Sequence, residues 1–207
     1  MVRVIDARVA GAAPRFVTGV KKGNRRAYLS PRPLAAIDAV GLHHLGPNIG
    51  ATPKPGQTVE ERAVWRALRQ AYHVWAQPGL VVLVWPLEVV TWHGHGLNRR
   101  SAGLVAAGNF PALEADRQPE HDDARGYHEA VAEGLAFIRR ELPQVRLLLT
   151  HSQSAAKPAD PGEMIARMAT AAGQAMTPPL LPVPGFVIGN GRPWAPEWSR
   201  PFDENTP

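Results

Sequence analysis

Tyr127-His-Glu-Ala-Val131-Ala-Glu-Gly-Leu135-Ala-Phe-Ile138-Arg-Arg-Glu-Leu142-Pro143-Gln-Val145-Arg-Leu-Leu-Leu-Thr150 holds two different periodicities end to end. Tyr127, Val131, Leu135, Ile138 and Leu142 recur at steps of four, four, three and four, which lines one face of an α-helix. Pro143 stops that helix, and the apolar run 145–150 predicts a strand directly after it. Further on, Asp160-Pro161-Gly162-Glu163 reads as a helix start, with Asp as N-cap, Pro at the first position and Glu two later. That last helix carries Ile165, Met168 and Ala172 on one face. Upstream, the small-residue run 102–108 and the β-branched run 80–85 after Gly79 read as strands. Thr58-Val-Glu-Glu61 is a capping box that opens a helix through about Tyr72. Strands separated by helices of this length predict an α/β fold, a central mixed β-sheet flanked by helices.

The chain of 207 residues suits one domain, or one domain with appendages. It has no cysteine, which excludes disulfides, thiolate metal ligands and cysteine nucleophiles. Charge is uneven: residues 1–38 carry eight Lys/Arg against Asp6 and Asp38, a local +6, while the remainder is near neutral. Such a basic extension attracts a polyanion, either an anionic wall polymer such as teichoic acid, an anionic lipid surface or nucleic acid, or else is simply solvated. Nucleic acid is disfavoured, because no recognition motif accompanies the charge. No run approaches the roughly 20 apolar residues of a membrane span. Arg3, Asp6 and Arg8 interrupt what a signal peptide would keep apolar. The expectation is synthesis in the cytoplasm without a signal peptide, with any action outside the cell requiring release. Residues 177–207 contain eight of the 21 prolines together with Phe186, Trp194, Trp198 and Phe202. This tail is expected to fold back over the core, since tryptophans are poorly left in water, or to serve as a carbohydrate-contacting arm. The boundaries expected are therefore 1–38, 39–176 and 177–207.

Two segments more than a hundred residues apart read as halves of a single zinc site: Leu42-His43-His44-Leu45-Gly46, and the stretch from His151 to Asp160-Pro161-Gly162. Histidines at strand ends with a carboxylate nearby provide three protein ligands and leave a position open. His44 would point to the opposite sheet face from His43 and is read as structural, with His44 as ligand kept as the alternative. Alone, Asp160 would be read as a helix cap and His151 as a hydrogen-bonded histidine at a strand end.

Five segments in order give these residues a family. His43-His44 after a strand, Ala71-Tyr72-His73-Val74-Trp75 with Gly79, and Thr91-Trp92-His93-Gly94 come first. Asn98-Arg-Arg-Ser101-Ala-Gly103 with Gly108-Asn109, and the segment from His151 to Asp160-Pro161-Gly162, complete the set. Across residues 39–176 the chain resembles the zinc-dependent N-acetylmuramoyl-L-alanine amidases of the second type, which share a fold with peptidoglycan recognition proteins and phage lysozyme-like amidases.

The resemblance implies peptidoglycan as partner and hydrolysis of the amide joining N-acetylmuramic acid to L-alanine, as in a phage-type endolysin or related wall hydrolase. The alternatives are a cytosolic amidase that recycles wall fragments and a non-catalytic peptidoglycan-binding module. It puts one zinc ion on His43, His151 and Asp160, and catalytic roles on Tyr72 and Lys157. His73, Trp92, His93 and Asn98 become substrate-lining residues, and the Gly/Pro-rich loop 46–57 becomes a groove border. The sequence departs from the pattern in two places. Lys157 lies three residues before Asp160 where relatives have their lysine two before, and 103–106 holds no glutamate to act as a general base. His95 belongs to a Gly-His-Gly turn, and His121 and His128 read as surface residues.

Overall fold

In the computed structural model, residues 1–8, 31–45, 55–108, 110, 123–157 and 160–202 are described. They form a seven-stranded mixed sheet in the order β1-β4-β3-β5-β2-β6-β7. The strands are β1 (Arg3–Asp6), β2 (Ala39–His44), β3 (Val74–Gln77), β4 (Leu80–Leu83), β5 (Ser101–Ala106), β6 (Leu147–Thr150) and β7 (Leu181–Pro182). Three helices accompany them: α1 (Val59–Ala67), α2 (Ala124–Glu141) and α3 (Glu163–Gln174). β3 and β4 pair antiparallel through the Pro78-Gly79 turn, and β5, β2, β6 and β7 run parallel to β3. The architecture is the α/β sheet flanked by helices that the periodicities predict.

Strand alternation divides the central strands between two layers. Val40 and Leu42 of β2, and Ala102 and Leu104 of β5, face a core built with Val131, Leu135 and Ile138 of α2 and Ala166 and Ala169 of α3. On the other face Trp75, Val82 and Val105 meet Ala63 and Ala67 of α1. Each fully buried aliphatic side chain contributes about 1.5–3 kcal/mol, so the two layers hold the central strands from both sides. Gly41 and His43 lie on the second face, beyond the cover of α1, and this leaves room for the candidate site.

Two boundaries differ from the sequence reading, each for a local reason. The capping box at Thr58 and Glu61 forms as expected, but α1 ends at Ala67. Arg69 and Gln70 donate their N–H groups to the carbonyls of Arg66 and Ala67, three residues back, which tightens the last turn. His73 can then enter the sheet, donating its N–H to Gly103 O and accepting from Val84 N–H. At α3 the N-cap is Gly162, not Asp160, and its φ of 84° lies in the left-handed region. A Cβ there would come within 2.2 Å of Phe110 O, so glycine is required. Asp160 is released from capping and turns its carboxylate elsewhere.

Parts of both terminal segments belong to the sheet. β1 pairs in parallel with β4, and β7 with β6. Trp194 and Trp198 are buried in the main core, their rings 6.0 Å apart edge to face. Most of the basic stretch (9–30), most of the loop 46–57, Asn109 and His121 lie outside the described residues. Among the described residues, no helix is long and apolar enough to cross a membrane.

Candidate metal site

β2 and β6 are parallel neighbours whose register pairs Leu42 with Thr150. His43 and His151 are therefore the next residues along two adjacent strands. Their ring centroids are 4.8 Å apart, the ordinary spacing of paired strands. His151 opens a 3-10 turn (His151–Gln153) that carries the chain off the sheet. The return to Asp160 is closed by the Ser152 N–H donating to Asp160 O at 2.9 Å. The Asp160 carboxylate bridges both strands: Oδ1 accepts from the backbone N–H of His44 at 3.1 Å, and Oδ2 lies 2.7 Å from His151 Nδ1.

The donor atoms of His43, His151 and Asp160 all lie within 4.8 Å of one another, and this group could hold a metal ion. Two ligands about 2.0–2.1 Å from a tetrahedral ion stand about 3.3 Å apart. The observed separations lie around that value: 3.2 Å between the two Nδ1 atoms, 2.7 Å from His151 Nδ1 to Asp160 Oδ2, and 3.8 Å from His43 Nδ1 to the other carboxylate oxygen, Oδ1. Two nitrogens and one carboxylate oxygen fit zinc better than calcium or magnesium, which favour oxygen throughout. Burial, reinforced by the neighbouring His151 and His93, holds His43 well below its ordinary pKa, so its ring is neutral and offers a lone pair.

His44 lies on the helix-facing side of β2. Its Nδ1 accepts from the Phe110 N–H at 2.9 Å, which leaves His43 in the donor group. Tyr72 stands on the other side of His43, with ring centroids 4.8 Å apart. Lys157 is 56% exposed at the rim, and its Nζ is 3.9 Å from Asp160 Oδ2. Trp92 is also at the surface, 55% exposed. Asn98 accepts the Gly94 N–H on Oδ1 and braces the turn that follows His93.

His73 and His93 sit beneath the donor group instead of along an open wall. Both are buried. His93 Nδ1 is 3.0 Å from His43 Nε2, and its own Nε2 faces Ser101 O at 3.2 Å. His73 accepts the Gly103 N–H on Nδ1 and directs Nε2 at Val89 O, 2.8 Å away. Burial and the neighbouring Arg32 cation push His73 well below its ordinary pKa and His93 down to about 3.

Arg32 is the residue that sequence reading misplaces. Counted there with the basic extension, it is buried, and its guanidinium donates to the carbonyls of Leu87, Asn98 and Ser101. Burial lowers its pKa to about 10, still far above neutrality. No local signal foretells this, because its partners, these three carbonyls and His73 Nε2 at 3.2 Å, all come from a distant part of the chain. Gln153 is a second such case. Its amide donates to Val183 O and Phe186 O, tying the proline-rich tail to the turn that bears His151.

No protein-family model and no curated protein sequence matches the chain. Solved structures do. One is the N-acetylmuramoyl-L-alanine amidase endolysin LysCS from Clostridium intestinale URNW, at 16% identity over 78% of this chain and 88% of that one, with a TM-score of 0.46. Another is the Ph2119 endolysin from the Thermus scotoductus MAT2119 bacteriophage Ph2119, at 19% identity over 81% and 99%, with a TM-score of 0.43. Drosophila PGRP-LB is a third, at 15% identity over 80% and 91%, with a TM-score of 0.46. The chain is thus similar in structure to amidases, endolysins and a peptidoglycan recognition protein.

Proposed function

We propose that the chain is a zinc-dependent amidase that hydrolyses the bond between N-acetylmuramic acid and L-alanine in peptidoglycan, as a phage-type endolysin or related wall hydrolase. The observation that carries this reading is the convergence of His43, His151 and Asp160, distant in sequence, into one donor group within 4.8 Å. The five ordered motifs supply the substrate class. A zinc ion held by these residues would polarise a carbonyl and acidify a water at neutral pH.

The chain's own groups supply the rest. His43 gives a neutral imidazole from the buried side, and His151 with Asp160 closes the group from the rim. Tyr72, beside His43, would donate its phenolic proton to the amide oxygen as that atom gathers charge. Lys157 would add positive charge at the rim, where the polymer approaches. Trp92 offers an exposed ring for a sugar or peptide face. With no acid at 103–106, no carboxylate on that strand stands ready to take a proton.

Digestion of purified peptidoglycan with the zinc-loaded protein, followed by mass analysis, tests the reading. Expected are free stem peptides beginning with L-alanine and uncut glycan strands. Cleavage of glycosidic or peptide bonds would overturn the assigned bond. Tight binding to sacculi with no products would favour the wall-binding module.

A further inference from the structure

We infer that His93 is a positioning residue whose proton arrangement, imposed by Ser101, presents the lone pair of His43 at Nδ1 toward the metal position. This rests on the proposed metal reading. Ser101 Oγ donates its only proton to Leu97 O at 2.9 Å, so toward His93 it offers lone pairs alone. His93 Nε2 faces that oxygen at 3.3 Å and the Ser101 carbonyl at 3.2 Å. Two acceptors on one nitrogen require that the nitrogen carry the proton. A neutral imidazole has one N–H, and His93, buried and sharing the Ser101 carbonyl with the Arg32 cation, carries no charge of its own. Its Nδ1 is therefore bare and accepts from His43 Nε2–H at 3.0 Å. His43, wholly buried, commits its one N–H to that bond and is left with a bare Nδ1, the atom 3.2 Å from His151 Nδ1.

The sheet holds this relay in place. Gly41 and Gly103 are register partners across β2 and β5. A Cβ at Gly41 would stand 2.9 Å from His93 Cε1, and one at Gly103 would stand 2.8 Å from His93 Cγ. The ring thus lies on a patch of sheet that only paired glycines leave flat enough. His43, two residues after Gly41, projects from the same face. Partners that fix a ligand histidine's tautomer typically change metal affinity 10–100-fold when removed.

The test uses the full chain and three substitutions. His93→Phe keeps the ring and removes the acceptor. His93→Asn puts an amide oxygen near the Nδ1 position, and His93→Gln puts its amide near the Nε2 position. Nitrogen-15 NMR of metal-free protein reads the His43 tautomer, and competition titration reads zinc affinity. Expected are His43 protonated on Nε2 in wild type and His93→Asn, and zinc affinity 10-fold or more weaker in His93→Phe and His93→Gln. His93→Asn should stay within about threefold of wild type. A wild-type His43 protonated on Nδ1 would overturn the relay, as would equal zinc affinity in all three variants. If His93→Phe does not fold, the Asn–Gln pair still decides, and equal loss in both contradicts the relay. Because the tautomer is read without metal, a wild-type chain that takes up no zinc would sink the metal reading while leaving the relay measurable.

Discussion

The two histidines of the donor group occupy opposite settings. His43 is part of a central strand, wholly buried and backed by His93. His151 stands in a short turn at the rim, beside Asp160 and the exposed Lys157. The strand-borne half is held by a sheet packed on both faces, the turn-borne half by Gln153 and the tail strapped to it. A rigid half can fix ligand direction while a half at the rim admits a polymer. Their variants should therefore fail in different ways.

The largest effect expected is loss of metal. His43→Ala and His151→Ala should each lower zinc content from about one ion per chain to background and abolish turnover. Folding should separate them. His43→Ala opens a void beneath Tyr72 and leaves His93 Nδ1 without its donor, costing about 2 kcal/mol, against less than about 1 kcal/mol for His151→Ala. Metal analysis with denaturant titration checks both, and equal destabilisation would erase the distinction between the halves.

Acid should act on the buried half. Burial depresses His43, His73 and His93 in the folded state, while each returns to about 6.5 on unfolding. Below that pH the unfolded chain takes up protons that the folded chain refuses. The stability present above about 6.5 is thus lost as pH falls toward the folded values. Each ring contributes up to about 1.4 kcal/mol per pH unit. Denaturant midpoints of metal-free protein should fall steeply from pH 7 to 5, and a flat profile would mean these rings are not held neutral.

Smaller effects probe the rim. Gln153 is fully buried, accepting from Thr150 N–H and donating to two tail carbonyls. Gln153→Ala should cost about 2 kcal/mol and weaken zinc binding severalfold by loosening His151, with the His43 tautomer unchanged by NMR. Lys157→Ala should change stability by less than about 0.5 kcal/mol, as for other exposed ion pairs. A fall in turnover with unchanged zinc content would assign its charge to the reaction, and unchanged turnover would remove Lys157 from the mechanism.

Much of this contrast could be read from the chain, and the reason lies in what each residue depends on. The stripe from Tyr127 to Leu142 and the Thr58 capping box are local patterns, and both form. Strand alternation alone separates His43 from His44, which accepts a backbone N–H on the far face. Asp160 shows where local pattern misleads: a good cap by sequence, it yields that place to Gly162 because β2 and His151 claim its oxygens. Tyr72 leaves the helix because the next residue's backbone is bound into the sheet. Arg32 and the Gly41–Gly103 seat of His93 were not legible at all. A cation held by distant carbonyls and a buried histidine, and a ring lying on two glycines from different strands, exist only once the strands are in register.

The most direct test is calorimetric titration of the metal-free chain with zinc. A single site per chain is expected in the wild type, absent in His151→Ala and in Asp160→Ala. No zinc binding by wild type, or binding that survives replacement of His43, His151 and Asp160 together, would contradict it.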